Sequence, residues 1–160
     1  MKNTRWNIPS FVVAETEKAF LSGKHEVFAI WTAARPSGGD SREAVDVCRC
    51  IVPLQTPGVT PTGVWVHIAG PELQRIQLDN FNRKERSVIQ LHTHPGRDVS
   101  MSELDRKWEV VRHTGALSII VPFYGAGGLQ LGESANVYER DENDWRLLSQ
   151  GEVQERLVQI

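Results

Sequence analysis

Cysteine is scarce: Cys48 and Cys50 are the only two in 160 residues. Two positions apart on one strand, they sit too close for an unstrained disulfide, and no second Cys/His pair accompanies them to build a structural zinc site. They read as reduced strand residues, which fits the cytoplasm. No apolar run approaches the length of a membrane-crossing helix. The opening Met1-Lys2-Asn3-Thr4-Arg5-Trp6 has neither the apolar core nor the small-residue cleavage site of a signal peptide. Charge of one sign is lacking too. A net charge of −2 and a pI near 6.2 leave no footprint for nucleic acid or an anionic membrane. Internal repeats and an interdomain linker are also missing. What remains is 40% apolar content in one domain's worth of chain, residues 1–160, enough to bury a core.

Periodicity orders the chain from its first third. A helix is expected from about Phe11 to Ser22, capped by Ser10 and stopped at Gly23. Val13, Phe20 and Leu21 form its apolar side, and Glu17 and Lys18 face water. Val27-Phe28-Ala29-Ile30-Trp31 is an unbroken apolar run of strand length, which implies a strand covered on both faces. Glu26 stands at its head. Read alone, such a carboxylate is the last exposed residue before burial. After the turn Arg35-Pro36-Ser37-Gly38-Gly39-Asp40, the alternation from Ala44 to Val52 suits a half-exposed antiparallel strand. Pro53 to Gly63 reads as loop and Val64 to Ile68 as a strand. A helix beginning near Pro71 offers Leu73, Ile76 and Leu78 to the core.

The chemistry concentrates further on. Ser87-Val88-Ile89-Gln90-Leu91 reads as a strand that continues into His92-Thr93-His94 and ends at Pro95, which has no amide hydrogen for a ladder. Side chains alternate along a strand, so His92 and His94 share a face. Ser100 to Glu103 and Ser102 to Asp105 both have the spacing of a capping box, and Leu104, Trp108 and Val111 fall at the spacing of a buried helical stripe. Ser102 and Asp105 can be a cap and nothing more. Asp105 can also complete a set of two imidazoles and a carboxylate, the three-ligand arrangement of a catalytic zinc. Nitrogen and carboxylate donors suit zinc without excluding iron, cobalt or manganese.

Beyond that segment, Gly115 reads as the cap of the motif helix and His113 as a residue favourable to its C-terminal dipole. Leu117 to Pro122 is a short buried strand, and Tyr124 to Gly128 a loop that lacks the Lys-Ser of a phosphate loop. Ala135 to Arg140 and Trp145 to Leu148 form a hairpin across Asp141 to Asp144, and Glu152 to Val158 closes the chain as a helix. His67, alone on an apolar strand, is a packing residue rather than a ligand. Whether the five tryptophans serve the core or an interface is left open.

His92, His94, Pro95, Ser102 and Asp105 meet the full spacing H-x-H-P-x6-S-x-x-D. In this the sequence resembles the JAMM metalloproteases, also called JAB or MPN+. The resemblance implies an α/β fold, a single MPN (JAB/MPN, cytidine-deaminase-like) domain with a mixed curved sheet flanked by helices, its core at about residues 11–148. It implies Zn2+ held by His92, His94 and Asp105, and Ser102 donating to the oxyanion. The family's catalytic glutamate precedes an apolar strand in a pattern similar to E-V-x-G-L. Glu26-Val27-Phe28-Ala29-Ile30 corresponds to it, with alanine and isoleucine as mild departures, so Glu26 becomes the general base in preference to Glu43. Proteins of this kind mostly cut after the C-terminal glycine of a ubiquitin-like protein. The compact chain looks like a stand-alone prokaryotic JAB deubiquitinase-like peptidase. The expected partners are a ubiquitin-like protein or its conjugate, together with E1-like and E2-like proteins of an antiphage-type (antiviral defence) modification system. Trimming the tail of a sulfur-carrier protein, or a non-catalytic MPN scaffold, are the alternatives.

Overall fold

A stretch as apolar as Phe28-Ala29-Ile30-Trp31 cannot leave either face in water, and it forms a strand buried at six of its seven positions. The computed structural model describes residues 4–36, 44–60, 63–107 and 109–160. Its elements in chain order begin with β1 (Arg5–Ile8), α1 (Ser10–Phe20), β2 (Phe28–Ala34) and β3 (Ala44–Ile51). Then come β4 (Thr56–Thr60), β5 (Gly63–His67), α2 (Gly70–Arg83), β6 (Glu85–Thr93) and α3 (Glu103–Lys107). β7 (Leu117–Val121), a 3-10 turn at Phe123–Gly125, β8 (Asn136–Arg140), β9 (Trp145–Leu147), α4 (Gln150–Arg156) and β10 (Leu157–Gln159) complete them. Eight strands make one mixed, strongly curled sheet in the order β10-β1-β3-β2-β6-β7-β8-β9, and β4 and β5 pair as a separate hairpin. The class is α/β.

β2 and β6 lie side by side at the centre, antiparallel, with Phe28 opposite His92 and Trp31 opposite Ile89. β6 runs parallel to β7, and Leu91 stands opposite Ile119. Strand alternation divides the core between the two faces. Val27, Ala29, Trp31 and Ala33 join Val12, Val13 and Phe20 on the α1 side. Phe28 and Ile30 join Ile76, Ile120, Tyr138 and Trp145 on the α2 side. The His92 ring stacks on Phe28 at 6.0 Å, so the first motif histidine looks out on the α2 face.

Several expectations need correction. The N-cap of α1 is Pro9 rather than Ser10, with no side-chain cap, and its C-cap is Leu21 rather than Gly23. Leu21 therefore falls beyond the last turn and stays exposed, while Glu17 is half-buried and accepts from Leu129 N. The expected loop from Pro53 to Gly63 contains β4. On α2, Ile76 is buried but Leu78 is exposed, because two residues along a helix turn a side chain to the far face. Between Ser102 and β7, only α3 is helical among the described residues, with Leu104 exposed and Val111 buried in irregular chain. His113 and Gly115 therefore lie in a turn rather than at a helix end. Trp108, Glu43 and the turn residues 37–40 lie outside the described residues. β1 pairs with both β3 and β10, and Trp6, Ile8 and Leu157 are buried in the same core as Val12 and Trp31. Among the described residues, no helix is long and apolar enough to cross a membrane.

Candidate metal centre

β6 carries its two histidines to the end of the strand. His94 stands one residue past β6, held by its N–H to Val121 O (2.8 Å) and by its carbonyl, which accepts from Tyr124 N (2.9 Å). The following loop is fastened from β8. Tyr138 Oη donates to Val99 O (3.0 Å) and accepts from Met101 N (3.2 Å), and Asn136 Nδ2 donates to Val99 O (3.2 Å). That delivers α3 beside the histidines. Asp105 N donates to Ser102 Oγ (3.1 Å) and Ser102 N donates to Asp105 Oδ2 (2.9 Å), so the capping box forms. The cap does not displace the ligand geometry. Asp105 does both.

His92 Nε2 and His94 Nε2 are 3.2 Å apart. His92 Nε2 lies 3.1 Å from Asp105 Oδ1, and His94 Nε2 lies 3.2 Å from Asp105 Oδ2. Donors bonded to one tetrahedral zinc at ordinary distances are about 3.3 Å from one another. The triangle fits that geometry. His94 Nδ1 meets Asp98 O at 2.8 Å, the carbonyl contact that keeps a proton on Nδ1 and turns the Nε2 lone pair inward. His92 Nδ1 is buried with no such partner among the described residues, and the Phe28 ring fixes its plane instead. The three residues form the one His/Cys/Asp/Glu cluster among those described that is close enough to hold a metal ion. Their chemistry suits a divalent transition metal and does not single out zinc.

The electrostatics follow from burial and from these contacts. Burial opposes charge on Asp105, yet the His92 and His94 hydrogen bonds outweigh it and hold the carboxyl well below the usual carboxylate range. Burial likewise opposes charge on His94, but Asp105 and the Asp98 carbonyl raise its pKa. Glu26 goes the other way. Burial pushes its carboxyl up to about 7, with His94 lowering it and Asp105 raising it further.

Glu26 is placed by the strand pair. Val27 N donates to Thr93 Oγ1 (3.0 Å), and Thr93 N donates to Val27 O (3.2 Å). Continuing that register brings Glu26 level with His94. Gln55 clamps the next residue, accepting from Phe28 N (2.6 Å) and donating to Phe28 O (2.9 Å). His25 meets the Glu26 backbone carbonyl (3.0 Å) rather than its carboxylate. Glu26, Phe28, His92 and Asp105 line one cleft of about 440 Å³, walled also by Leu73 and Val110. Ser102 is exposed. Gln55, Asp98 and Tyr138 hold the site in place, and no local signal marks them.

No family model matches the chain. Over 98 residues, 61% of its length, it is 30% identical to a protein of Sinorhizobium fredii called probable metalloprotease y4jG. The chain is a distant homologue of a probable metalloprotease. It spans only 57% of that relative's length. Its fold resembles the solution structure of protein DSY2949 from Desulfitobacterium hafniense, with a TM-score of 0.59 over 97% of this chain and 92% of the other. At 12% identity that likeness concerns the fold alone.

Proposed function

We propose that the chain is a zinc-dependent peptidase of the JAMM type, built on an MPN domain. The observation that carries this reading is the His92, His94 and Asp105 triangle, with the buried Glu26 in the same cleft. The homology to a probable metalloprotease supports it. A zinc ion held there would supply Lewis acidity to a scissile carbonyl and acidify its water. Glu26, with a pKa near neutrality, takes a proton from the attacking water and returns it to the leaving amine. Ser102 Oγ accepts from Asp105 N, which leaves its own proton to donate to the developing oxyanion.

The substrate in this reading is a ubiquitin-like protein cut after its C-terminal glycine, either as a conjugate or as a precursor. E1-like and E2-like proteins of the same bacterial antiphage-type modification system are the partners. Support for this finer part rests on the five-position motif.

Elemental analysis and a cleavage assay test it together. Wild-type protein purified without chelator is expected to carry about one zinc per chain, and Asp105→Ala to lose it. Glu26→Gln is expected to keep the zinc and lose at least ~10²-fold in the cleavage of a Gly-ended ubiquitin-like fusion. Cleavage of a sulfur-carrier extension but of no ubiquitin-like fusion or conjugate would transfer the substrate to sulfur-carrier processing. No metal, even after zinc is added, would reduce the chain to a binding scaffold.

A further inference from the structure

Residues 109–113 follow α3 as irregular chain and form a wall between two depressions. One is the cleft beside the triangle. The other, about 840 Å³, lies over α2 and the start of β6. Leu73, Glu109, Val110 and Arg112 face both.

Four of the five wall residues are fastened. The Glu109 carboxylate accepts from Trp145 Nε1 (2.6 Å) and Arg140 Nη1 (3.3 Å). Gln90 is buried on β6, two residues before His92 and therefore on its face. Its Oε1 accepts from Val110 N and Val111 N, each at 2.9 Å, and its own amide donates to Ser118 Oγ (3.2 Å). The Val111 side chain is buried, and His113 Nε2 meets Ser87 O at 3.1 Å. Arg112 differs from its neighbours: it is exposed, and its guanidinium has no partner among the described residues.

A fastened backbone lowers the ordering cost of a contact made by the one side chain it leaves out. The charges around it add a sign. Within the cleft, Asp105 is turned to the histidines, Glu109 is neutralised by Arg140, and Glu26 is the proton carrier. Arg112 contributes the positive charge of the wall, and Lys107 of α3 lines the same cleft.

We propose that Arg112 binds a carboxylate of the substrate close to the bond that is cut. The planar guanidinium matches a carboxylate with two parallel hydrogen bonds. This rests on the peptidase reading and narrows it. The favoured substrate is a linear tail that ends shortly after the cleaved glycine, or one with an acidic residue there. An isopeptide to a lysine side chain places four methylene groups after the cleaved bond and no carboxylate directly beside it.

The test compares three Gly-ended fusions: one extended by a single residue with a free C-terminus, the same ending as an amide, and an amidated one bearing aspartate. The wild type is expected to show a KM roughly tenfold lower for whichever carboxylate it reads, with kcat little changed. Arg112→Gln is expected to bring the ratio of KM values close to one, and Arg112→Lys to restore part of it. Arg86→Gln, which alters a cation of the larger depression only, is expected to keep the ratio. A ratio of one in the wild type, or a ratio that survives Arg112→Gln, overturns the proposal. If nothing is cleaved, the peptidase reading fails by itself. Calorimetry on zinc-loaded Glu26→Gln, with and without Arg112→Gln, then still decides, because equal affinity for acid and amide peptides overturns the role of Arg112.

Discussion

Glu26 is both buried and held near neutrality, and the two properties have one cause. Taking its carboxylate out of water raises the pKa to about 7, so the folded protein binds a proton there more tightly than the unfolded chain does. The stability this confers is present in full below the ordinary glutamate range and is lost as pH rises through about 7. In chelator, the wild type is therefore expected to lose thermal stability between about pH 4.5 and 7 relative to Glu26→Gln. Parallel melting curves for the two proteins across that window would disprove the assignment. At this scale the sequence was legible where the site is local. His92, His94, Ser102 and Asp105 belong to one strand, turn and helix, so their spacing alone brings three donor atoms together. Gln55 and Tyr138 act on Phe28 and on the Val99–Met101 loop from distant parts of the chain, and nothing in their own neighbourhoods marks the duty.

Elements with a regular period were readable in the same way: β2, β3, β6 and the β8–β9 hairpin follow their alternation or their apolar runs. The helical spacing of Leu104, Trp108 and Val111 misled, because Gln90 takes the N–H groups of Val110 and Val111 that a helix would have used. A side chain on a neighbouring strand overrode a local pattern. The joint between α1 and β2 shows how much such a bond is worth. Thr16 Oγ1 donates to Val12 O (2.7 Å) and accepts from Trp31 Nε1 (2.8 Å), and both side chains are fully buried. Thr16→Val keeps the shape and strands the indole N–H, at a cost of about 1–3 kcal/mol. Urea unfolding measures it. A loss under roughly 0.5 kcal/mol would mean that the Trp31 N–H finds another partner.

Across the molecule, an ionic group centred on a buried Glu139–Arg156 pair ties β8 and the edge strand β9 to the last helix. Glu139 of β8 pairs with Arg156 of α4 and with Arg146 of β9 (3.2 Å), and Arg156 Nε also donates to Thr4 O (3.0 Å). Removing one partner of such a pair leaves a buried charge alone, so Glu139→Leu is expected to cost about 3 kcal/mol. Glu139→Leu with Arg156→Leu should regain much of that loss. A double variant no more stable than the single one would show that the Arg156 contact with Thr4 dominates.

The same region decides how the sheet is finished. β1 lies between β3 and β10, parallel to both, and Ile160 N donates to Ile8 O while Ser10 N donates to Ile160 O (2.9 Å each). A ribosome releases β1 early and β10 only much later. Until β10 follows, the outer flank of β1 is then an open slot beside Trp6 and Ile8, available to any extended segment, from this molecule or another.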